Sequence, residues 1–349
     1  MKIAVIGGGY AGIAAAIELN RLGFGRETTL FDKRLRHQKI TQWHKLARGR
    51  HAEHYEVAFN HLAERFNFNF AHRGVSIDAL LADSDNELAG NFDAIIIAQG
   101  SHTPANPPGV LTLDQLRDDH ASQHLVMNMT GKNIAVIGGG PTGVQFAFEF
   151  AARGNEVDLY EARDRLLPTF DSALGLSAVA AAKRKNISLH LMTEFLEFAG
   201  GKIVCRNNTA GGGVEKRDAD HVLFVPGVKS TPAFTCDQFG RLEYRSDRRF
   251  YAAGDNSYFS GRGLNTKSAQ AAVRKGQHVA RTVIADLEGK PDEEYAYPEL
   301  GYFVSLGTDD AVGYLLSQKT AFSGRAALFM KEMIERQYNL YLQGFPVYP

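Results

Sequence analysis

A chain of 349 residues with 44% hydrophobic and 22% charged side chains has the make-up of a packed protein of two or three domains, not of a disordered one. Lys plus Arg and Asp plus Glu both total 39, and a formal charge of zero lacks the broad basic field that nucleic-acid binding needs. Two cysteines, Cys205 and Cys236, exclude a disulfide framework and make the reducing cytoplasm the expected compartment.

Met1 and Lys2 run directly into a strand-like Ile3-Ala-Val-Ile, so no secretory leader is expected. The longest uncharged stretch near the start, Ile3 to Ile17, is 15 residues long and is broken by Gly7, Gly8 and Gly9. No transmembrane span is therefore expected, although peripheral membrane contact stays open. An apolar helix follows the glycines, and then a strand, Thr28-Thr-Leu-Phe-Asp32. Another strand ends at His72-Arg-Gly-Val75, and Thr103-Pro-Ala-Asn-Pro-Pro-Gly109 is a turn-rich linker.

At Ile134 the opening returns. Ile3–Gly9 and Ile134–Gly140 are identical letter for letter, and Gly12, Glu18 and Gly23 pair with Gly143, Glu149 and Gly154. The second copy also closes on an acid, in Val157-Asp-Leu-Tyr-Glu161. Gly200-Gly201 and Gly211–Gly213 then bracket a hairpin-like stretch, and a helix is expected from about Thr266. Near the end, a strand at 301–306 precedes a helix at about 324–343. In that helix Ala327, Met330, Ile334, Tyr338 and Tyr341 share a face, with Lys331, Glu332, Glu335 and Arg336 opposite. The aromatic face suits a membrane-surface or homodimer contact. The simpler reading, which we favour, is packing on its own domain.

The repeat has a chemical reason. A dinucleotide presents a doubly charged pyrophosphate. Gly7 and Gly138 allow a tight turn, Gly9 and Gly140 let the backbone approach the phosphates, and Gly12 and Gly143 let helix and strand pack closely. The helix start then offers free N–H groups and a positive dipole end. Asp32 and Glu161 follow the third glycines by 20 and 18 residues, where a carboxylate can accept hydrogen bonds from ribose hydroxyls. Two such units imply two dinucleotides. Glu161 favours NADH over NADPH, because a carboxylate there repels a 2′-phosphate; Arg163 and Arg165 nearby work against that preference.

With these segments in place the chain resembles the two-dinucleotide-binding-domain flavoproteins, whose first unit holds FAD and whose second holds NAD(P)H. Phe92-Asp-Ala-Ile-Ile-Ile-Ala-Gln-Gly-Ser101 is similar to that group's strand and crossover, and Asp220-His-Val-Leu-Phe-Val-Pro-Gly227 to its counterpart in the second unit. Phe250-Tyr-Ala-Ala-Gly-Asp255 is similar to the second FAD motif, whose aspartate binds the ribityl chain. Within the group the likeness is to type II NADH dehydrogenases and apoptosis-inducing-factor-like proteins. It rests on His37–Gly49, on Ala269-Gln-Ala-Ala-Val-Arg274 (compare AQxAxQ) and on Gly301–Val312. The resemblance implies an α/β fold of two Rossmann-like domains, the second inserted in the first. Residues 1–109 and 231–290 would form the FAD domain, 110–230 the NAD(P)H domain, and 291–349 a small C-terminal region.

It also implies site residues. Gly7, Gly9, Ala11, Gly12, Asp32, Lys33, Val75, Ala98, Gly100, Gly254 and Asp255 would hold FAD. Gly138, Gly140, Thr142, Gly143, Glu161 and Gly227 would hold NADH. Gln145, Lys267 and Gln270 are the catalytic candidates. The helix near Thr266 should aim its positive end at the flavin, with Lys267 adding to the field, and Gln270 would bond a substrate carbonyl. The chain departs from the subgroup at Gln145 (Glu in the relatives), Gln99 (Thr), Arg274 (Gln) and Ile40-Thr41 (Gln-Pro). Gln145 cannot ionise and can only hydrogen-bond.

The expected activity is hydride transfer from NADH to FAD and onward delivery to a quinone-like acceptor. An electron-carrier protein as acceptor, a pathway-specific oxidoreductase and an NADH-sensing flavoprotein remain alternatives. Residues 38–46 carry no cysteine pair, which excludes a disulfide reductase. The twelve histidines show no compact ligand set, so no metal is expected.

Overall fold

Ile3–Ile6 and Asn133–Ile137 each become the central strand of a five-stranded parallel sheet. A central strand covered on both faces has no polar side to present, which is why both read as nearly unbroken Ile, Val and Ala. In this computed structural model, residues 1–82, 87–230, 232–245, 247, 249–263 and 265–348 are described.

The first sheet runs, in spatial order, Phe250–Ala252, Ala94–Ile97, Ile3–Ile6, Thr28–Asp32, Asn69–His72. The second runs Leu111–Thr112, His221–Phe224, Asn133–Ile137, Glu156–Tyr160, Ser188–His190. The two orders match strand for strand. The chain leaves the first sheet after Ala94–Ile97, builds the second, and returns at Phe250–Ala252 to pair beside Ala94–Ile97. This is the doubly wound α/β arrangement, which places ligand sites at the carboxyl ends of the strands.

The stretch expected as a hairpin is a three-stranded antiparallel sheet, Thr193–Ala199, Lys202–Asn207 and Val214–Asp218. The helix expected from about Thr266 is Ala269–Glu288, with the Ser268 hydroxyl accepting from the Ala271 N–H as its cap. It lies against the first helix, Tyr10–Arg21, so closely that a Cβ on Gly276 would sit 2.1 Å from the Ala11 carbonyl oxygen.

Two packing features join the units. Trp43, Leu46, Ala47, Ala52 and Tyr55 lie before the linker, yet they are buried in the core of the second sheet. Val304, Leu306, Val312 and Tyr314 of the C-terminal antiparallel sheet enter the same core. The C-terminal helix, Arg325–Leu342, sends Tyr338, Tyr341 and Leu342 into the core of the first unit. One expectation about this helix is corrected. Lys331 and Glu335 do not lie on a solvated face. Both turn inward, and Glu335 is paired with Lys331 at 3.0 Å and with Lys45. Apolar periodicity counts only apolar residues, so a buried ion pair is invisible to it.

Candidate functional site

Both glycine turns are built alike at their first and third glycines. Gly7 and Gly138 have φ of +105° and +114°, a region that favours glycine. A Cβ on Gly12 or Gly143 would lie 1.8 Å from the carbonyl oxygen of Gly7 or Gly138. Beyond Gly9 and Gly140, by contrast, there is open space. The turn is thus shut tight against the protein and left free on its outer side. The Asp32 carboxylate accepts from the N–H groups of Gly8 (2.6 Å) and Arg34 (2.8 Å). Glu161 does the same with Gly139 (2.7 Å) and Arg163 (2.9 Å). Each acid is held at its strand end with lone pairs to spare for ribose hydroxyls.

The helix starts add to this. Tyr10–Arg21 and Pro141–Ala152 begin at Gly9 and Gly140 with no side-chain cap and no acid in the first turn. The helices at Leu113, His120, Ser172 and Ala269 are side-chain capped, by Thr112, Asp119, Asp171 and Ser268, whereas Phe59–Arg65 and Arg325–Leu342 are uncapped too but follow no glycine turn of this kind. Uncapped N–H groups facing open space suit a bound anion, so both turns fit a pyrophosphate.

Around the first turn the structure gathers Ala98, Ala11 and Gly254. A Cβ on Gly7 would meet the Ala98 carbonyl oxygen at 2.5 Å, and one on Gly254 would meet Ala11 Cβ at 2.9 Å. Gly100 has φ of +72°, and the next hydroxyl, Ser101, donates to Asp255 at 2.8 Å. Burial raises the Asp255 carboxyl above its usual range. Lys33 is an exposed residue paired with Asp118 at 3.6 Å. The Val75 carbonyl is taken by the side-chain amide of Gln99 at 2.9 Å, which gives that departure a structural role. In the second unit a Cβ on Gly138 would meet the Val225 carbonyl oxygen at 2.3 Å; Thr142, in the first turn of the following helix, is half-buried, and Gly227, two residues after Val225, is exposed.

Among the described residues no hydrogen bond joins the three catalytic candidates to one another. Lys267 is exposed, with its ammonium 3.4 Å from the Ser230 hydroxyl. Gln270 is half-buried in the first turn of its helix. Gln145 is 8% exposed and donates its amide to Ser305 Oγ at 3.0 Å, and Ser305 Oγ lies 3.2 Å from His44 Nε2. The direction of this chain follows from its far end. The Thr41 backbone opposes the effect of burial on the His44 ring, which fits a ring proton on the nitrogen away from Ser305. Burial, with Lys331, Lys45 and Arg48 nearby, holds His44 well below its ordinary pKa, so the ring is neutral and Nε2 is bare. Ser305 must then donate to His44 and accept from Gln145. A glutamate in place of Gln145 would have no N–H to give.

Three site-shaping groups lie outside the sequence candidates. His37 Nδ1 donates to the Gly8 carbonyl (2.8 Å), and Nε2 accepts from the Tyr338 hydroxyl (2.8 Å), which ties the C-terminal helix to the first turn. Lys275, buried, donates to the Ser257 carbonyl (2.5 Å) and to Asn265 (2.9 Å), fixing the loop after Asp255. Its burial pushes the ammonium down to about 8. A lysine four residues from Ala271 and from Val279, on a buried helix face, was the available signal.

The buried histidines predict an acid-labile fold. Burial lowers His37 to about 4, and His44 moves in the same direction. Unfolded histidines take up protons near pH 6.5 that the folded ones refuse. Stability is therefore full above that pH and declines as pH falls toward 4, by about 1.4 kcal/mol per pH unit for each histidine. Thermal melts at pH 8, 7, 6 and 5 check this. A melting temperature unchanged from pH 7 to 5 would count against neutral burial.

Residues 1–276 match the family described as pyridine nucleotide-disulphide oxidoreductase. The type II NADH:quinone oxidoreductase of Staphylococcus saprophyticus is 25% identical over 98% of this chain and 96% of its own. Among solved structures, NDH2 of Plasmodium falciparum in complex with NADH superposes with a TM-score of 0.76 at 14% identity, covering 97% of this chain and 94% of that one. The sulfide:quinone oxidoreductase of Aquifex aeolicus superposes with a TM-score of 0.77 at 17% identity, covering 100% and 93%.

Proposed function

This chain belongs to the pyridine nucleotide-disulphide oxidoreductase family, and from that premise we propose that it is an FAD-dependent NADH:quinone oxidoreductase. The observation that carries the reading is the pair of uncapped, outward-open glycine turns of matching geometry, each with an acid fixed at its edge. Relatives named type II NADH:quinone oxidoreductase, matched over nearly their full length, supply the acceptor class.

In this reading Gly7–Gly12, Asp32, the Val75 edge and Asp255 hold FAD, and Gly138–Gly143, Glu161 and Gly227 hold NADH. FAD, when bound, supplies the capacity to take hydride from the nicotinamide and to pass electrons to the quinone. The chain's own residues bind and align. Helix starts neutralise the two pyrophosphates, and Asp32 and Glu161 fix the two adenosine ends. The Ala269–Glu288 helix presents its positive end beside Asp255. Gln145, held by Ser305 and His44, moves no proton. It is an oriented dipole, which suffices where the chemistry is hydride transfer.

Cys205 and Cys236 are both buried, and burial pushes both thiols up to about 12, so neither is poised as a redox thiolate. Among the described residues no helix is long and apolar enough to cross a membrane. Phe329, Met333 and Leu340 form an exposed apolar stripe on the C-terminal helix, which we read as a peripheral membrane contact giving access to an apolar quinone.

The test is anaerobic titration of the purified yellow protein with NADH, followed by a short-chain quinone. One equivalent of NADH should bleach it, and the quinone should restore the colour. A colourless protein that rejects added FAD, or a bleached one that the quinone leaves bleached, would defeat the reading. Glu161→Gln removes the charge that repels a 2′-phosphate. It should raise the NADPH-to-NADH ratio of kcat/KM by at least about tenfold, ~1.4 kcal/mol. Steady-state rates with both coenzymes check it.

A further inference from the structure

At the end of the helix Pro141–Ala152 away from its glycine turn, about 17 Å along the axis, a cavity of about 600 Å³ opens between the two units and the C-terminal sheet. Its wall carries Lys45, Arg48, Arg50 and Arg153 against a single carboxylate, Glu149. Lys45 is balanced by Glu335 and Arg48 by Glu149. Among the described residues Arg50 and Arg153 have no carboxylate partner. Arg153 is laid across Gly49, where a Cβ would come within 2.3 Å of its guanidinium, so that glycine makes room for it.

A second observation points the same way. Tyr55 lines the cavity, its ring buried in the core, and its hydroxyl has no hydrogen-bond partner among the described residues. That hydroxyl reaches the open side of the cavity, where it is free to donate to a ligand. The Thr308 hydroxyl, from the turn of the C-terminal sheet, lines it as well. Two unpaired guanidinium groups and two hydroxyl donors match a group with several anionic oxygens and nearly two charges.

We propose that this cavity binds a phosphate-bearing anion, which bridges the 40–55 segment, the second unit and the C-terminal sheet. The site is distinct from both glycine turns and does not rest on the NADH:quinone reading. Because the ligand touches three segments that meet in one core, it stabilises their junction by mass action.

The test is calorimetric titration of the FAD-loaded protein with inorganic pyrophosphate, with saturating NAD+ to fill the second glycine turn. Parallel flotation uses phosphatidylcholine vesicles with and without phosphatidylglycerol. The variants are Arg50→Gln with Arg153→Gln, Tyr55→Phe, and Arg26→Gln as a control for charge alone. We expect saturable pyrophosphate binding, weakened at least about tenfold in the double variant and about threefold in Tyr55→Phe, but unchanged in Arg26→Gln. Binding only to the anionic vesicles, lost in the same variants, assigns the phosphate to a lipid headgroup. The absence of both kinds of binding overturns the proposal, as does binding that the double variant retains. NADH KM serves as the folding control, since neither arginine borders the glycine turns.

Discussion

Gly12→Ala is expected to give a colourless protein destabilised by about 3 kcal/mol, whereas Gly143→Ala stays yellow but is no longer bleached by NADH. In both, the new methyl would lie 1.8 Å from a carbonyl oxygen of the turn, closer than any real Cβ contact. The backbone has to open, and the opening destroys the cradle of N–H groups. Gly9→Ala and Gly140→Ala are the informative contrasts. Nothing lies within 4 Å of either added Cβ, so stability should hold while coenzyme affinity falls. Flavin absorbance per protein, urea unfolding and NADH titration together separate a folding role from a binding one. If Gly9→Ala kept its full flavin content, the open side of the turn would not be the phosphate side.

Arg48→Met is the second large effect, with an expected loss of about 3–5 kcal/mol. Glu149 is 0% exposed and receives two bonds from Arg48, both at 2.6 Å. Removing the guanidinium strands a buried carboxylate without its partner. Arg48 also donates to the Gly307 carbonyl at 3.3 Å, so the same change loosens the C-terminal sheet. The double variant Arg48→Met with Glu149→Leu should recover most of the loss, because it removes the stranded charge along with its partner. Urea unfolding of the two single variants and the double reads this directly. A single-variant loss below about 1 kcal/mol would mean that water reaches the pair.

The repeat, the order of strands and helices and the α/β class were legible before any coordinates. Each depends on local rules: an apolar run buried on both faces, a glycine where a Cβ cannot fit, an acid at a strand end. Ile3–Gly9 and Ile134–Gly140 obey those rules within a few residues of themselves. Gln145 was legible as a departure but not in its consequence, because Ser305 and His44 lie far away in sequence. Lys331 and Glu335 were misplaced for a related reason. Their burial depends on Lys45, nearly 300 positions earlier, and no helical periodicity records that partner.

The division follows from range. The amino-acid order alone determines which segments turn, coil or extend, because sterics and hydrophobic period act between near neighbours. Only the folded chain decides that residues 40–55 join the second core, that Tyr338 reaches His37 beside the first turn, and that Arg50 and Arg153 stand unpaired around one cavity. Those outcomes depend on what a buried polar group finds beside it. That neighbour is supplied by tertiary packing, and the penalty for lacking one is what makes it specific.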